Sequence, residues 1–123
     1  MGKRVVYVAH PVGGDVEGNI RALRSVLREL RLTRKDIIPV APYLACLQYL
    51  HDNNPAERSL GMEENRLYFE RGLIDEVLLA GETISPGMRE EIALALHLGI
   101  PVSCLREELE PRLRQVLQEL GAA

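Results

Sequence analysis

The chain has 123 residues, a net charge of −3 and an apolar fraction of 46%, which suits one ordinary domain with its own core. No basic face suggests a nucleic-acid footprint, no apolar run approaches the ~20 residues of a membrane span, and Lys3-Arg4 lead only into the short run Val5 to Ala9, so no secretory signal is expected. Cys46 and Cys104 lack a metal or redox spacing, so the expected setting is the cytoplasm, with reduced thiols and neither membrane nor nucleic acid as partner.

Lys3 to Ala9 is a near-continuous β-branched run and predicts a central parallel strand. The loop His10-Pro11-Val12-Gly13-Gly14-Asp15 follows, and Gly13 and Gly14 let backbone approach a ligand closely. It is neither a dinucleotide fingerprint nor a P-loop, so a nucleotide cofactor bound in those ways is not expected. Asn19 is the predicted cap of a helix from Ile20 to Leu30, with Ile20, Leu23, Val26, Leu27 and Leu30 on one face. Asp36 to Ala41 is the second strand, and Pro39 predicts an edge position because it cannot donate to a ladder. Pro42 to Leu50 reads as a short helix with Tyr43, Leu47 and Leu50 as its apolar side. After the polar loop His51 to Asn54, Asn54 caps a segment opened by Pro55. That segment runs helically to Arg71, from Pro55 or, if Gly61 breaks it, from Glu63.

Leu73 to Leu79 is the third strand, apolar towards its end from Glu76. Ser85 is a good N-cap, and Pro86 then falls at the first helical position, where its missing N–H costs nothing. The helix is predicted over Gly87 to Leu98 and ended by a left-handed Gly99. Its free N–H groups and positive dipole end favour an anion such as a phosphate. Ile100 to Leu105 is the fourth strand, and a last amphipathic helix covers Glu107 to Leu120, with Leu109, Leu113, Val116, Leu117 and Leu120 apolar. This alternation predicts an α/β domain over residues 1–123: a three-layer Rossmann/flavodoxin-like parallel sheet of four to five strands with helices on both faces. Ligands of such sheets bind beyond the carboxyl ends of the strands. There lie the three loops with unusual chemistry, His10 to Gly18, Ala41 to Leu44 and Gly81 to Gly87.

On a helical wheel Met88, Ile92, Ala95, Leu96 and Leu98 form one apolar stripe, and Glu91 lies inside it while Glu90 points away beside His97. A carboxylate there needs partners or a raised pKa. Two readings follow: a nucleophile or general base in a cleft, or a stripe-edge residue paired with an Arg. The other candidates are equally two-sided. Ser85 can be a cap alone, Tyr7 a core residue with its hydroxyl on a polar partner, and His10 a general acid/base or a solvated loop residue. Met62 and Met88 suit core or interface, while Arg21 and Arg58 can reach a phosphate or pair on the surface. No His, Cys or carboxylate spacing supports a metal site.

Tyr7-Val8-Ala9-His10-Pro11, Asn19, Ala41-Pro42-Tyr43, the P-x-x-R run Pro55 to Arg58, G-x-x-I-S-x-G-M-x-x-E-I from Gly81 to Ile92, and A-x-x-x-G-x-P-V from Ala95 to Val102 form a pattern. It resembles the nucleoside 2-deoxyribosyltransferase-like superfamily over Val5 to Val102, and most closely the small bacterial and phage domains of unknown function within it. The resemblance implies a transferase that exchanges bases between deoxyribonucleosides, or an N-hydrolase of deoxynucleoside 5′-monophosphates, working through a covalent glutamyl-sugar ester. It implies that Glu91 is the nucleophile and Tyr7 its holder. Ser85, Gly87 and Met88 would bind the sugar or its 5′-phosphate, with His10, Gly13 and Gly14 in a loop closing over the ligand. It implies a nucleoside or nucleotide as partner, no cofactor, no metal and a homo-oligomer. The enzymes it resembles carry an Asp on the helix before the third strand. Here the counted position is Leu67, with Glu63, Glu64 and Glu70 nearby. A nucleotide-binding or sensory module without full chemistry is therefore the alternative, and an interaction protein using Leu67 and Phe69 is a third reading.

Overall fold

A computed structural model describes residues 2–121. Four strands, β1 (Arg4–Ala9), β2 (Ile37–Val40), β3 (Glu76–Leu79) and β4 (Val102–Cys104), form one sheet in the order β2-β1-β3-β4. All three pairings are parallel, with Tyr7 opposite Val40 on one side and Val77 on the other. The helices are α1 (Val16–Thr33), α2 (Pro42–Cys46), α3 (Pro55–Glu70), α4 (Pro86–His97) and α5 (Glu110–Glu119), the last preceded by a single 3-10 turn at Glu107–Leu109. The expected α/β class, parallel sheet and Pro39 edge strand are all present.

Because side chains alternate along a strand, β1 feeds two cores. Tyr7 and Ala9 join Val77 and Leu79 on one face, under Phe69 of α3, Met88, Ile92 and Ala95 of α4, and Leu113 and Val116 of α5. Val6 and Val8 join Leu78 and Ala80 on the other, under Leu23 and Leu30 of α1. Fully burying one such aliphatic side chain is worth ~1.5–3 kcal/mol, so the double-faced sheet is the main source of stability. Among the described residues no helix is long and apolar enough to cross a membrane.

Several local expectations are corrected. The α1 helix starts earlier than Ile20, because Asp15 is its cap, accepting from the Gly18 N–H at 3.0 Å. Asn19 instead donates from its side chain to the Val12 and Gly13 carbonyls at 3.0 and 3.1 Å, fastening the loop after β1. The α3 helix runs unbroken through Gly61. The α2 helix stops at Cys46, and it buries that cysteine rather than Leu47 or Leu50. On α4 the buried face is Met88, Ile92 and Ala95, with Leu96 and Leu98 exposed. Phe69 is not free for an interaction role: it is 2% exposed, its ring 4.9 Å from that of Tyr7.

Asp75, just before β3, has a structural role. Its Oδ2 accepts from the Val5 N–H at 2.7 Å, while its own N–H donates to the Val5 carbonyl at 2.8 Å. Asp75→Ala leaves one of these bonds unmade, and an unfolding free energy lower by about 1 kcal/mol is expected in urea titrations.

Candidate active site

The sheet order reverses direction between β1 and β3, since β2 follows β1 to one side and β4 follows β3 to the other. At the carboxyl end of β1 lies a cavity of about 240 Å³. Its walls come from β1 (Tyr7, Val8), the loop after it (His10, Val12, Gly13), and the start of α2 (Ala41, Tyr43, Leu44). Arg58, Met62 and Asn65 of α3 and Ser85 to Met88 with Glu91 of α4 complete it. A doubly wound sheet with its pocket at the switch point is the ligand-binding arrangement of this architecture.

Glu91 is partly buried on the cavity floor. The Tyr7 hydroxyl donates to its Oε2, and the Asn65 amide donates to that same hydroxyl at 2.8 Å. The two residues of the first bond are 84 apart in sequence, brought together because α4 packs on β3 and β4, on the sheet face to which Tyr7 of the adjacent central strand β1 points. Burial pushes the Glu91 carboxyl up to about 7, with Glu90 adding to the rise and the Tyr7 bond and Arg58 opposing it. Burial also raises the Tyr7 hydroxyl well above its ordinary value, the neighbouring Glu91 charge adding to it.

The other end of the cavity is the start of α4. Ser85 caps it, its hydroxyl accepting from the Met88 N–H at 3.2 Å, and the hydroxyl proton stays available for a ligand. Arg58 lies over this helix start: a Cβ at Gly87 would sit 3.5 Å from its Nη2. Asp52 holds the guanidinium from behind at 2.5 Å. The Asp52 side chain is only 7% exposed, so it needs partners, and the Tyr43 hydroxyl supplies a second at 2.6 Å. A fixed cation thus faces the positive end of a helix, which suits an anion.

Of the residues singled out from sequence, Tyr7, His10, Gly13, Ser85, Gly87, Met88 and Glu91 line this one cavity. Gly14 does not; with φ +88° it turns the loop. Met88 is chiefly a core residue, 1% exposed. The His10 Nδ1 lies 2.8 Å from the Pro11 carbonyl oxygen, which can only accept, so Nδ1 is the donor in this contact. None of Glu63, Glu64 and Glu70 lines the cavity. Glu64 accepts from the Cys46 thiol at 2.8 Å, Glu70 pairs with Arg66 at 2.9 Å, and Glu63 borders a second hollow of about 330 Å³ between α3 and α4. Arg21 does not line the cavity. Asp52 and Asn65 were not anticipated. Asn65 shares a helical stripe with Gly61 and Phe69, all buried, and a polar residue on that stripe was its one signal.

The domain is therefore a doubly wound α/β protein with a buried carboxylate and an anion-favouring helix start in one pocket. Residues 4–105 match the family model described as Domain of unknown function (DUF7768), and the chain belongs to that family. No curated protein and no solved structure matches the chain.

Proposed function

We propose that the chain cleaves or transfers the N-glycosidic bond of a nucleoside 5′-monophosphate or related nucleoside through a covalent sugar ester on Glu91. The observation that carries this reading is the Glu91 carboxylate, bonded to Tyr7, at one end of a cavity whose other end is the α4 start with Arg58. Gly87 and Glu91 are one turn apart, ~6 Å along the axis, a span of the same order as that from an anomeric carbon to its 5′-phosphorus. With the phosphate on Arg58 and the helix start, the anomeric carbon meets the carboxylate. A Glu91 oxygen attacks that carbon, the bond to the base nitrogen breaks, and the base leaves with the electron pair and is protonated from water or a positioned acid. Water, or a second base, then opens the ester at the same carbon, so configuration is retained.

Incubation with each deoxynucleoside monophosphate, read out for free base and for a sugar-phosphate adduct on Glu91 by mass spectrometry, tests the proposal. Release of base that survives Glu91→Ala overturns the assigned nucleophile. A second reading, a nucleotide-binding module with incomplete chemistry, is favoured by the position of Glu63, Glu64 and Glu70 outside the cavity. It predicts thermal stabilisation by the nucleotide with no base released. On either reading Arg58→Met weakens binding of the monophosphate about tenfold or more and leaves the unphosphorylated nucleoside nearly unaffected, measured by calorimetry. Equal losses for both ligands would remove the phosphate from this end of the cavity.

A further inference from the structure

A tyrosine hydroxyl has one proton to give and lone pairs to accept with. The Tyr7 hydroxyl has two neighbours within hydrogen-bond reach, the Glu91 carboxylate and the Asn65 amide. When the Asn65 N–H donates to the hydroxyl oxygen, the single Tyr7 proton is committed to Glu91. We propose that Asn65 is a positioning residue of this site, fixing the direction of the Asn65–Tyr7–Glu91 hydrogen-bond chain so that Glu91 is held as an acceptor with its carboxylate in the cavity.

Three observations carry this. Asn65 is buried, 5% exposed, on the inward face of α3. Its Oδ1 has no partner among the described residues. A buried acceptor left unmade is costly, so an Asn kept only for packing would be worse than a Leu of similar size. What it offers in return is the N–H to Tyr7. Finally, Gly61, Asn65 and Phe69 lie one turn apart on the buried face of α3, and Phe69 packs on the Tyr7 ring. The amide therefore comes from a rigid helix and fixes the hydroxyl while Phe69 fixes the ring. The charged and titratable groups around Glu91 are Tyr7 of β1, Tyr43 of α2, Arg58, Glu63 and Arg66 of α3, Glu90 of α4, and His10 in the loop after β1. None but Tyr7 is bonded to its carboxylate.

The consequence for catalysis rests on the glycosidic reading, but the direction of the chain does not, and it can be tested without turnover. The carboxyl band of Glu91 is followed against pH by infrared difference spectroscopy in the whole protein, using Glu91→Gln to assign it. Asn65→Leu, which removes the donor and adds no charge, is expected to move the Glu91 midpoint up by about half to one unit. In a Tyr7→Phe background the same change is expected to move it by far less, since Asn65 acts only through the hydroxyl. Equal shifts in both backgrounds, or none in either, overturn the proposal. Should Asn65→Leu not fold, the side-chain amide resonance of Asn65 in otherwise native protein gives the answer. It moves clearly in Tyr7→Phe if the bond is donated to Tyr7, and an unmoved resonance overturns the assignment. If base release is also measured, Asn65→Leu lowers kcat with little change in KM. A titration shift without any base release in native protein would leave the hydrogen-bond chain standing and defeat the glycosidic reading alone.

Discussion

Glu91→Gln is expected to lower base release by a factor on the order of 10⁴ or more while leaving the protein folded. The amide keeps the shape and still accepts from Tyr7, but it cannot form the sugar ester. The same substitution has a second, opposite effect on stability. Burial raises the Glu91 pKa from its ordinary 4.5 to about 7, so between these values the folded state holds a proton that the unfolded chain has lost. Folding is then favoured most by this group below about 4.5. Stability falls as pH rises through the window, and the full cost, a few kcal/mol at most, is present above 7. Glutamine never ionises, so Glu91→Gln should melt above the native protein at pH 8 and close to it at pH 5. Activity should run the other way, rising with pH as the nucleophile ionises. Calorimetric Tm values at the two pH values check the first, and a pH–rate profile the second. A Tm difference that is the same at both pH values would mean the carboxylate is not buried as described.

Gly61→Val is expected to destabilise the fold by about 3 kcal/mol and to reduce phosphate binding at the same time. Gly61 is buried in the middle of α3, and a Cβ there would sit 2.4 Å from Cε1 of Tyr43, closer than atoms can approach. Overpacking of this kind typically costs ~1–3 kcal/mol, occasionally more, because ring and backbone must both shift. The ring that must shift carries the hydroxyl on Asp52, and Asp52 holds Arg58. A steric change at a helix–helix contact should therefore reach the anion end of the cavity. Alanine is a poorer probe, since its better helix propensity, about 1 kcal/mol over Gly, offsets part of the clash. Urea denaturation and calorimetric titration with a nucleoside monophosphate check both effects. A valine protein that is as stable as the native one would show that the ring moves aside freely.

What the sequence disclosed, and what it withheld, divides along physical lines. Strands of β-branched runs, and a helix start written as Ser85-Pro86, are local signals, and both appear in the structure near the expected bounds. Burial of Glu91 was legible from the α4 wheel because one turn of helix sets which side chains share a face. The cap of α1 was misread because Asp15 and Asn19 are both good caps and sequence does not say which faces a free N–H; the structure gives that role to Asp15 and sends the Asn19 amide to two loop carbonyls. Asp52 sat in a run of polar loop residues that looked wholly solvated. Its burial arises only when Tyr43 and Arg58, from separate elements, fold over it. The Tyr7–Glu91 pairing came from a likeness of motifs, since spacing alone relates no two residues so far apart in the chain.

The stretch shared with the family ends at residue 105, yet the packed interior does not end there. Leu109, Leu113 and Val116 lie in the same buried cluster as Val77, Leu79 and Ile92, and Arg89 of α4 ties to Glu119 at 2.5 Å. A fragment trimmed to the family boundary would therefore strip the roof from one side of the sheet and bare an oily strip behind the helix that carries the carboxylate. In this chain the packed interior therefore runs past the stretch that matches the family model.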